Sequence, residues 1–330
     1  MSTPRLPVAI TATGRYTPEV VLSNDELVQR YQLKVDDAWI QERTGIRSRH
    51  WLKPEETTSD LAVRAIQACL DQAGLKPEDI DRLIVSTISP DMPSPSTATI
   101  ISRKLGLRCM AFDLSAACSG FLYGIELAAG AIQMGARRVL VVGADARSRF
   151  LKQTDHRSMV LFADGAGCAL VEPSSQPGLL SVVCGAQGQD QMGAYIPAGG
   201  AQQPASHATV DAGLHYLHVD PKTDIFRMFV DHVTRMCRQA LDEAGLTVAD
   251  VDLFLTHQGN GPVIHLAAEA LGVAPHTVVD EVAFHGNTAS ASVPIVLDEI
   301  RRAGRVPPGS VVLLSAVGAG LTFAAAVHRF

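Results

Sequence analysis

The feature that most constrains this chain is that it repeats itself. Leu70 to Thr87 reads LDQAGLKPEDIDRLIVST, and Leu241 to Gln258 reads LDEAGLTVADVDLFLTHQ. At that offset of 171 residues, seven of eighteen aligned pairs are identical, and Ile80/Val251 and Ile84/Leu255 are conservative. A second pair, Val139 to Val142 against Val311 to Leu314, matches at an offset of 172. Two matches at nearly one offset mean two copies of one unit. Each copy runs helix, AGL turn, acidic connector, buried strand. The Pro- and Ser-containing stretch EPSSQPG, Glu172 to Gly178, is the natural join. It divides the chain into an N-terminal half over 1–175 and a C-terminal half over 176–330.

The unit itself is α/β. Arg82 to Ile88, Arg138 to Val142 and Val311 to Leu314 read as buried strands. Asp60 to Ala73 and Ile225 to Ala244 carry apolar residues at helical spacing. The alternation predicts sheets covered by helices. Aromatic residues make up only 5% of the 330 residues while the apolar share is 47%, so Ala, Val, Leu and Ile must build the core. The longest apolar tract, Val311 to Val327, is short for a membrane span, and Gly318 and Gly320 interrupt it. It predicts two buried strands around a glycine turn.

Charge and cysteine usage narrow the function. A formal net charge of −6, with no long run of one sign, argues against nucleic acid or an anionic membrane as partner. The N-terminal stretch lacks a basic segment followed by an apolar one, so a cytoplasmic protein is expected. Six cysteines without a CxxC pair suggest neither a redox pair nor a metal ribbon, and no metal is expected. Cys168, Cys184 and Cys237 sit in apolar or helical contexts and read as buried packing residues.

Cys118 reads differently. In DLSAACSGFLYGI an apolar strand, Cys109 to Leu114, runs through small residues into an amphipathic helix. That turn puts the thiol at a helix N-terminus, where the dipole favours a thiolate and a lowered pKa. Ala116, Ala117, Ser119 and Gly120 leave room for a thioester. Two further segments, THQGN at Thr256 to Asn260 and HGNTASASVP at His285 to Pro294, each follow an apolar run and meet glycine. His257 stands where the second copy's strand ends, as Ser86 does in the first. That edge is where open α/β sheets bind ligands.

Cys in an AACSGF elbow, His in HQxN and Asn in HGNTxxxSxP, in that order, resemble the β-ketoacyl-acyl-carrier-protein synthase III family of the thiolase superfamily. WIQERTGI at Trp39 to Ile46, ADGAG at Ala163 to Gly167 and GAGLT at Gly318 to Thr322 match as well. The resemblance implies a thiolase-like fold, a duplicated five-layered αβαβα architecture, and a homodimer. It implies that Cys118 takes an acyl group from acyl-CoA and that His257 and Asn287 hold a malonyl thioester, on acyl carrier protein or on CoA. The backbone N–H groups of Cys118 and Ala319 would form the oxyanion hole. Trp39, Arg43 and Arg157 resemble CoA-binding residues, and Asn260 a residue lining the pantetheine tunnel. Coenzyme A thioesters are substrates, and no further cofactor is implied.

Three departures from the family pattern carry expectations. The segment GPVIHLAAEALG, Gly261 to Gly272, holds no Arg or Lys, and Glu269 stands where a Lys is common, which weakens attraction to an acidic carrier protein. Arg227 keeps a basic residue where relatives often carry Lys. Ser94 stands where some members place a Phe that caps a short acyl pocket, so medium or longer acyl chains are expected. Val317 and Ala319 alter the glycine-rich loop, whose oxyanion donor is a backbone group. Other readings keep the acyl-Cys118 step but transfer to an amine, a hydroxyl or a β-keto thioester, or make the chain a non-catalytic partner subunit. A Cys-His-Asn hydrolase is disfavoured by the duplication.

Overall fold

The computed structural model describes residues 6–188, 193–219 and 224–330. The first five residues of the N-terminal stretch discussed above lie outside them.

The repeat in the sequence is a repeat in the fold. One sheet runs in the order Val8–Tyr16, Asp164–Pro173, Val139–Ala146, Arg82–Ser86, Met110–Leu114. The other runs Leu253–Thr256, Val311–Gly318, Thr322–Arg329, Leu179–Ala186. Arg82–Ser86 pairs in parallel with Val139–Ala146, as Leu253–Thr256 does with Val311–Gly318. Each of those second strands then pairs antiparallel with the next, and a further antiparallel strand follows. The apolar tract Val311 to Val327 does form two strands, with the turn at residues 319–321.

Five layers result. Helices Gly120–Gln133 and Ser292–Arg302 lie between the sheets. Their Phe121, Ile125, Val293 and Val296 share one core with Val141 of the first sheet and Leu314 of the second. Helix Thr58–Ala73 packs Leu61, Ile66 and Leu70 on the outside of the first sheet. Helices Ile225–Ala244 and Gly261–Leu271 pack Val233, Cys237 and Ile264's neighbours Val263 and Ala267 on the outside of the second. The core is aliphatic, as a chain with few aromatics requires.

Local chemistry repeats with the topology. Gly74 and Gly245 end equivalent helices in the left-handed conformation, φ +67° and +68°, which costs a glycine little. The Asp79 and Asp250 carboxylates each accept the N–H three residues back, of Lys76 and Thr247. Asp81 accepts the N–H of Arg138, and Asp252 that of Val311, so each fixes the start of the neighbouring strand.

The repeat extends to strain. Ala117 and Ala289, 172 residues apart, both have positive φ, 46° and 50°, in short 3₁₀ turns that enter the two central helices. Left-handed conformations at non-glycine residues cost free energy and cluster at functional sites. One turn presents Cys118. The other presents Ser290, whose hydroxyl donates to the Asp145 carboxylate at 2.6 Å and lies 2.9 Å from Ser86 O. The two halves thus hold the same elbow, with the thiol in only one.

Candidate active site

Cys118 sits on its elbow against the turn of the glycine-rich loop. A methyl group on Gly318 would meet Cys118 N at 2.7 Å and the Ala117 methyl at 2.8 Å, so only glycine fits there. Ser119 Oγ donates to Ala316 O at 3.2 Å, and Thr322 Oγ1 donates to Ala116 O at 2.7 Å. These bonds bolt the elbow to the strands Val311–Gly318 and Thr322–Arg329. Ala319, half-buried, follows directly.

The thiol is not poised as the helix end predicts. Cys118 is half-buried, and burial pushes its thiol up to about 12. The Asp145 carboxylate adds to this, and the Arg147 guanidinium opposes it. The helix proper begins only at Gly120, and desolvation disfavours the thiolate. The expected lowering of the thiol pKa is therefore corrected.

His257 follows the strand Leu253–Thr256, held by its own N–H to Ser315 O at 2.8 Å. Burial lowers its imidazole to about 4, so it is neutral at pH 7. Its Nδ1 lies 2.7 Å from Ser292 Oγ. Ser292 Oγ also accepts the Gln258 N–H at 3.3 Å, and its own hydroxyl proton is available to Nδ1. With Ser292 donating to Nδ1, the proton of the neutral ring is on Nε2, which is then a donor. Asn287 is oriented in the same way. Its Oδ1 accepts the Ala289 N–H at 2.9 Å, which turns Nδ2 outward as a donor. Its backbone pairs with Leu161 and Ala163.

The two donors converge on Gly259. A methyl group there would lie 2.8 Å from His257 Nε2 and 3.3 Å from Asn287 Nδ2. Two N–H donors bordering one small volume can hold a single oxygen there and stabilise negative charge that develops on it.

Trp39 and Arg43 form one group, one turn apart on helix Asp37–Thr44. The Arg43 guanidinium lies over the Trp39 ring, 4.6 Å from its centroid. His156 meets the Trp39 ring edge-on at 5.6 Å, and exposed Arg157 is its chain neighbour. Asn260 links this group to the histidine loop. Its Nδ2 donates to Arg43 O at 2.8 Å, and its Oδ1 accepts the Val263 N–H as helix cap. Its amide is thus committed to structure on both sides. Ser94 is exposed in the single chain. His156, Ser292 and Gly259 were not singled out from sequence, although Ser292 lies inside the HGNTASASVP segment.

Other expectations sort themselves here. Cys168 and Cys237 are fully buried. Cys184 is only half-buried and faces Glu126, whose carboxylate, with burial, raises its thiol pKa, so its context is less apolar than the sequence implied. Among the described residues no cluster of His, Cys, Asp or Glu could hold a metal ion, and no helix is long and apolar enough to cross a membrane.

Comparisons with known proteins agree with one another. Residues 112–188 match the family model described as 3-oxoacyl-[acyl-carrier-protein] synthase III, and residues 241–330 match that described as its C terminal. A β-ketoacyl-[acyl-carrier-protein] synthase III from Symbiobacterium thermophilum is 42% identical over 327 residues, covering 98% of both chains. The one from Caldanaerobacter subterraneus is 40% identical, over 99% of this chain and 98% of its own. Among solved structures, the priming β-ketosynthase of the R1128 polyketide pathway is 35% identical with a TM-score of 0.90, covering 100% of this chain and 98% of that one. The synthase III of Aquifex aeolicus is 34% identical with a TM-score of 0.89, covering 98% and 100%.

Proposed function

Since the chain belongs to the 3-oxoacyl-acyl-carrier-protein synthase III family, and is therefore a thiolase-fold condensing acyltransferase, we propose that Cys118 is the residue acylated, with acyl-CoA as donor. The Cys118 sulfur attacks the thioester carbonyl, its proton passes to the departing CoA sulfur, and an acyl-Cys118 thioester remains. The backbone N–H groups of Cys118 and Ala319 hold the oxyanion.

A malonyl thioester then binds with its thioester carbonyl oxygen between His257 Nε2–H and Asn287 Nδ2–H. Loss of CO₂ leaves an enolate on that oxygen. Its carbon attacks the acyl carbonyl, a C–C bond forms, the C–S bond breaks, and Cys118 leaves as thiolate to be reprotonated. Donors fixed beforehand stabilise the enolate without reorganising, which is worth several kcal/mol for a single donor (on the order of 3). Trp39, Arg43 and Arg157 bind the adenine and phosphates of CoA. A planar cation stacked on an indole suits that task.

The observation that carries this reading is the convergence of His257 and Asn287 at Gly259. A neutral imidazole whose Nε2 bears the proton is a donor and not a base, which suits an enolate site.

The acyl chain is of medium or greater length, with Ser94 leaving the pocket open across a homodimer. The exposed positions of helix Gly261–Leu271, Pro262, His265, Leu266, Glu269 and Ala270, give an acidic carrier no cation. The test supplies acyl-CoA with malonyl-CoA or malonyl carrier protein and follows CO₂ release and 3-oxoacyl product. Product from either extender supports the reading. Acyl transfer without CO₂ release from either would reject the condensation and favour another acceptor.

A further inference from the structure

Arg147 has no role in the reaction above. It follows directly on the strand Val139–Ala146, at the carboxyl edge of the first sheet, and is 2% exposed. Its guanidinium lies over two rings, 5.7 Å from the Phe150 centroid and 5.5 Å from that of Phe162. Among the described residues it forms no hydrogen bond and no ion pair, and its Nε is buried without a partner. The carboxylates nearest in charge are committed elsewhere. Asp145 accepts Thr87, Ile88 N–H and Ser89 on one oxygen and Ser290 twice on the other. Asp164 accepts Ser148 twice and the Leu52 N–H.

A buried guanidinium with unpaired N–H groups is costly, and such groups are found with partners in folded proteins. Among the described residues nothing supplies that partner. Arg147 is close to both halves of the candidate centre. Its charge acts on the Cys118 thiol. Phe162, whose ring it covers, forms a β-bridge with Asn287. It therefore borders the space that an acyl group on Cys118 would enter.

Building on the proposed acyl-Cys118 chemistry, we propose that Arg147 selects an acyl group that carries its own planar oxygen acceptor, a carboxylate or carboxamide, at the end remote from the thioester. The flat fork of the guanidinium pairs such a group in two parallel bonds, and the flanking rings hold it in that plane. A plain alkyl chain would leave those donors unpaired and pay for burying them. Sites built to hydrogen-bond a substrate group reject the analogue that lacks it far more strongly than apolar pockets reject an extra methylene.

The test measures acylation of Cys118 by intact-protein mass spectrometry with CoA monothioesters of C4 to C10 dicarboxylic acids, their terminal amides, and alkyl acyl-CoAs of equal length. Wild type is expected to favour one polar series by at least ~100-fold at matched length. The carboxylate and amide arms distinguish the two acceptors. In Arg147→Leu the order inverts, while circular dichroism and melting temperature report whether the fold is kept. Arg147→Lys, which keeps the charge without the fork, regains part of the preference. Adducts from alkyl chains but not polar ones would overturn the inference and leave the acyl-Cys118 reading intact. An equal loss for all donors in Arg147→Leu, with a shifted pH profile of acylation, would overturn it too, by making Arg147 a thiolate-stabilising group. No adduct from any donor would reject the acyl-Cys118 reading itself.

Discussion

His257 Nδ1 and Ser292 Oγ are 2.7 Å apart, and this contact turns the other ring nitrogen, Nε2, toward Gly259. In the proposed reaction Ser292 is a positioning residue that touches no substrate. Ser292→Ala frees the ring to carry its proton on Nδ1. We expect condensation to fall ~10- to 100-fold, a usual cost for removing a group that orients a functional histidine. Acylation of Cys118 should be unchanged, and Ser292→Thr should restore most of the loss. Single-turnover acylation and discharge, measured separately, check both.

Gly259 has a steric role. A side chain there would come within 2.8 Å of His257 Nε2, closer than real contacts allow. Gly259→Ala should therefore push the two donors apart and lower the discharge step by ~100-fold or more. The melting temperature should change little, because the site, not the core, takes up the displacement.

The CoA group gives a different signature. Trp39→Ala removes the ring beneath Arg43, a contact worth ~1 kcal/mol. Initial-rate kinetics should show KM for acyl-CoA rising roughly fivefold with kcat held, the pattern of lost uniform binding.

Stability should depend on pH in a window set by two buried histidines. His257 is lowered to about 4 and His328 to about 3, both by burial. His328 Nε2 accepts the Ile10 N–H at 2.9 Å, so protonation also breaks that bond. Unfolded, each titrates near 6.5. Above that value both states are neutral and the full stability is present. As pH falls from about 6.5 toward 4 the unfolded chain binds protons that the folded chain refuses, and stability declines by on the order of 3 kcal/mol per histidine. Urea unfolding between pH 7 and 4 should show this slope, and His328→Gln should reduce it.

The repeat at offsets of 171 and 172 made the architecture legible, because each copy keeps its helix, turn and strand in register. Cys118, His257 and Asn287 could be nominated because each stands at an element's end close to a glycine. The thiol's pKa was not. A helix N-terminus can be read from spacing, but burial and the approach of Asp145 arise only when distant strands meet. The same holds for Arg147. In the sequence it is one Arg among ADARSRF, and its isolation over Phe150 and Phe162 exists only after folding. Ser292 was inside a quoted segment, yet nothing local says that its hydroxyl faces residue 257. His156 faces Trp39 only because two helices far apart in sequence converge.

The central claim is that the acyl group is carried on Cys118. Intact-protein mass spectrometry after mixing with a panel of acyl-CoAs, for wild type and Cys118→Ala, tests it most directly. The account predicts a mass increase of one acyl group on wild type, none on Cys118→Ala, and loss of that mass when a malonyl thioester is added. An adduct that persists in Cys118→Ala, or a wild type that condenses substrates without ever carrying an acyl group, would contradict it.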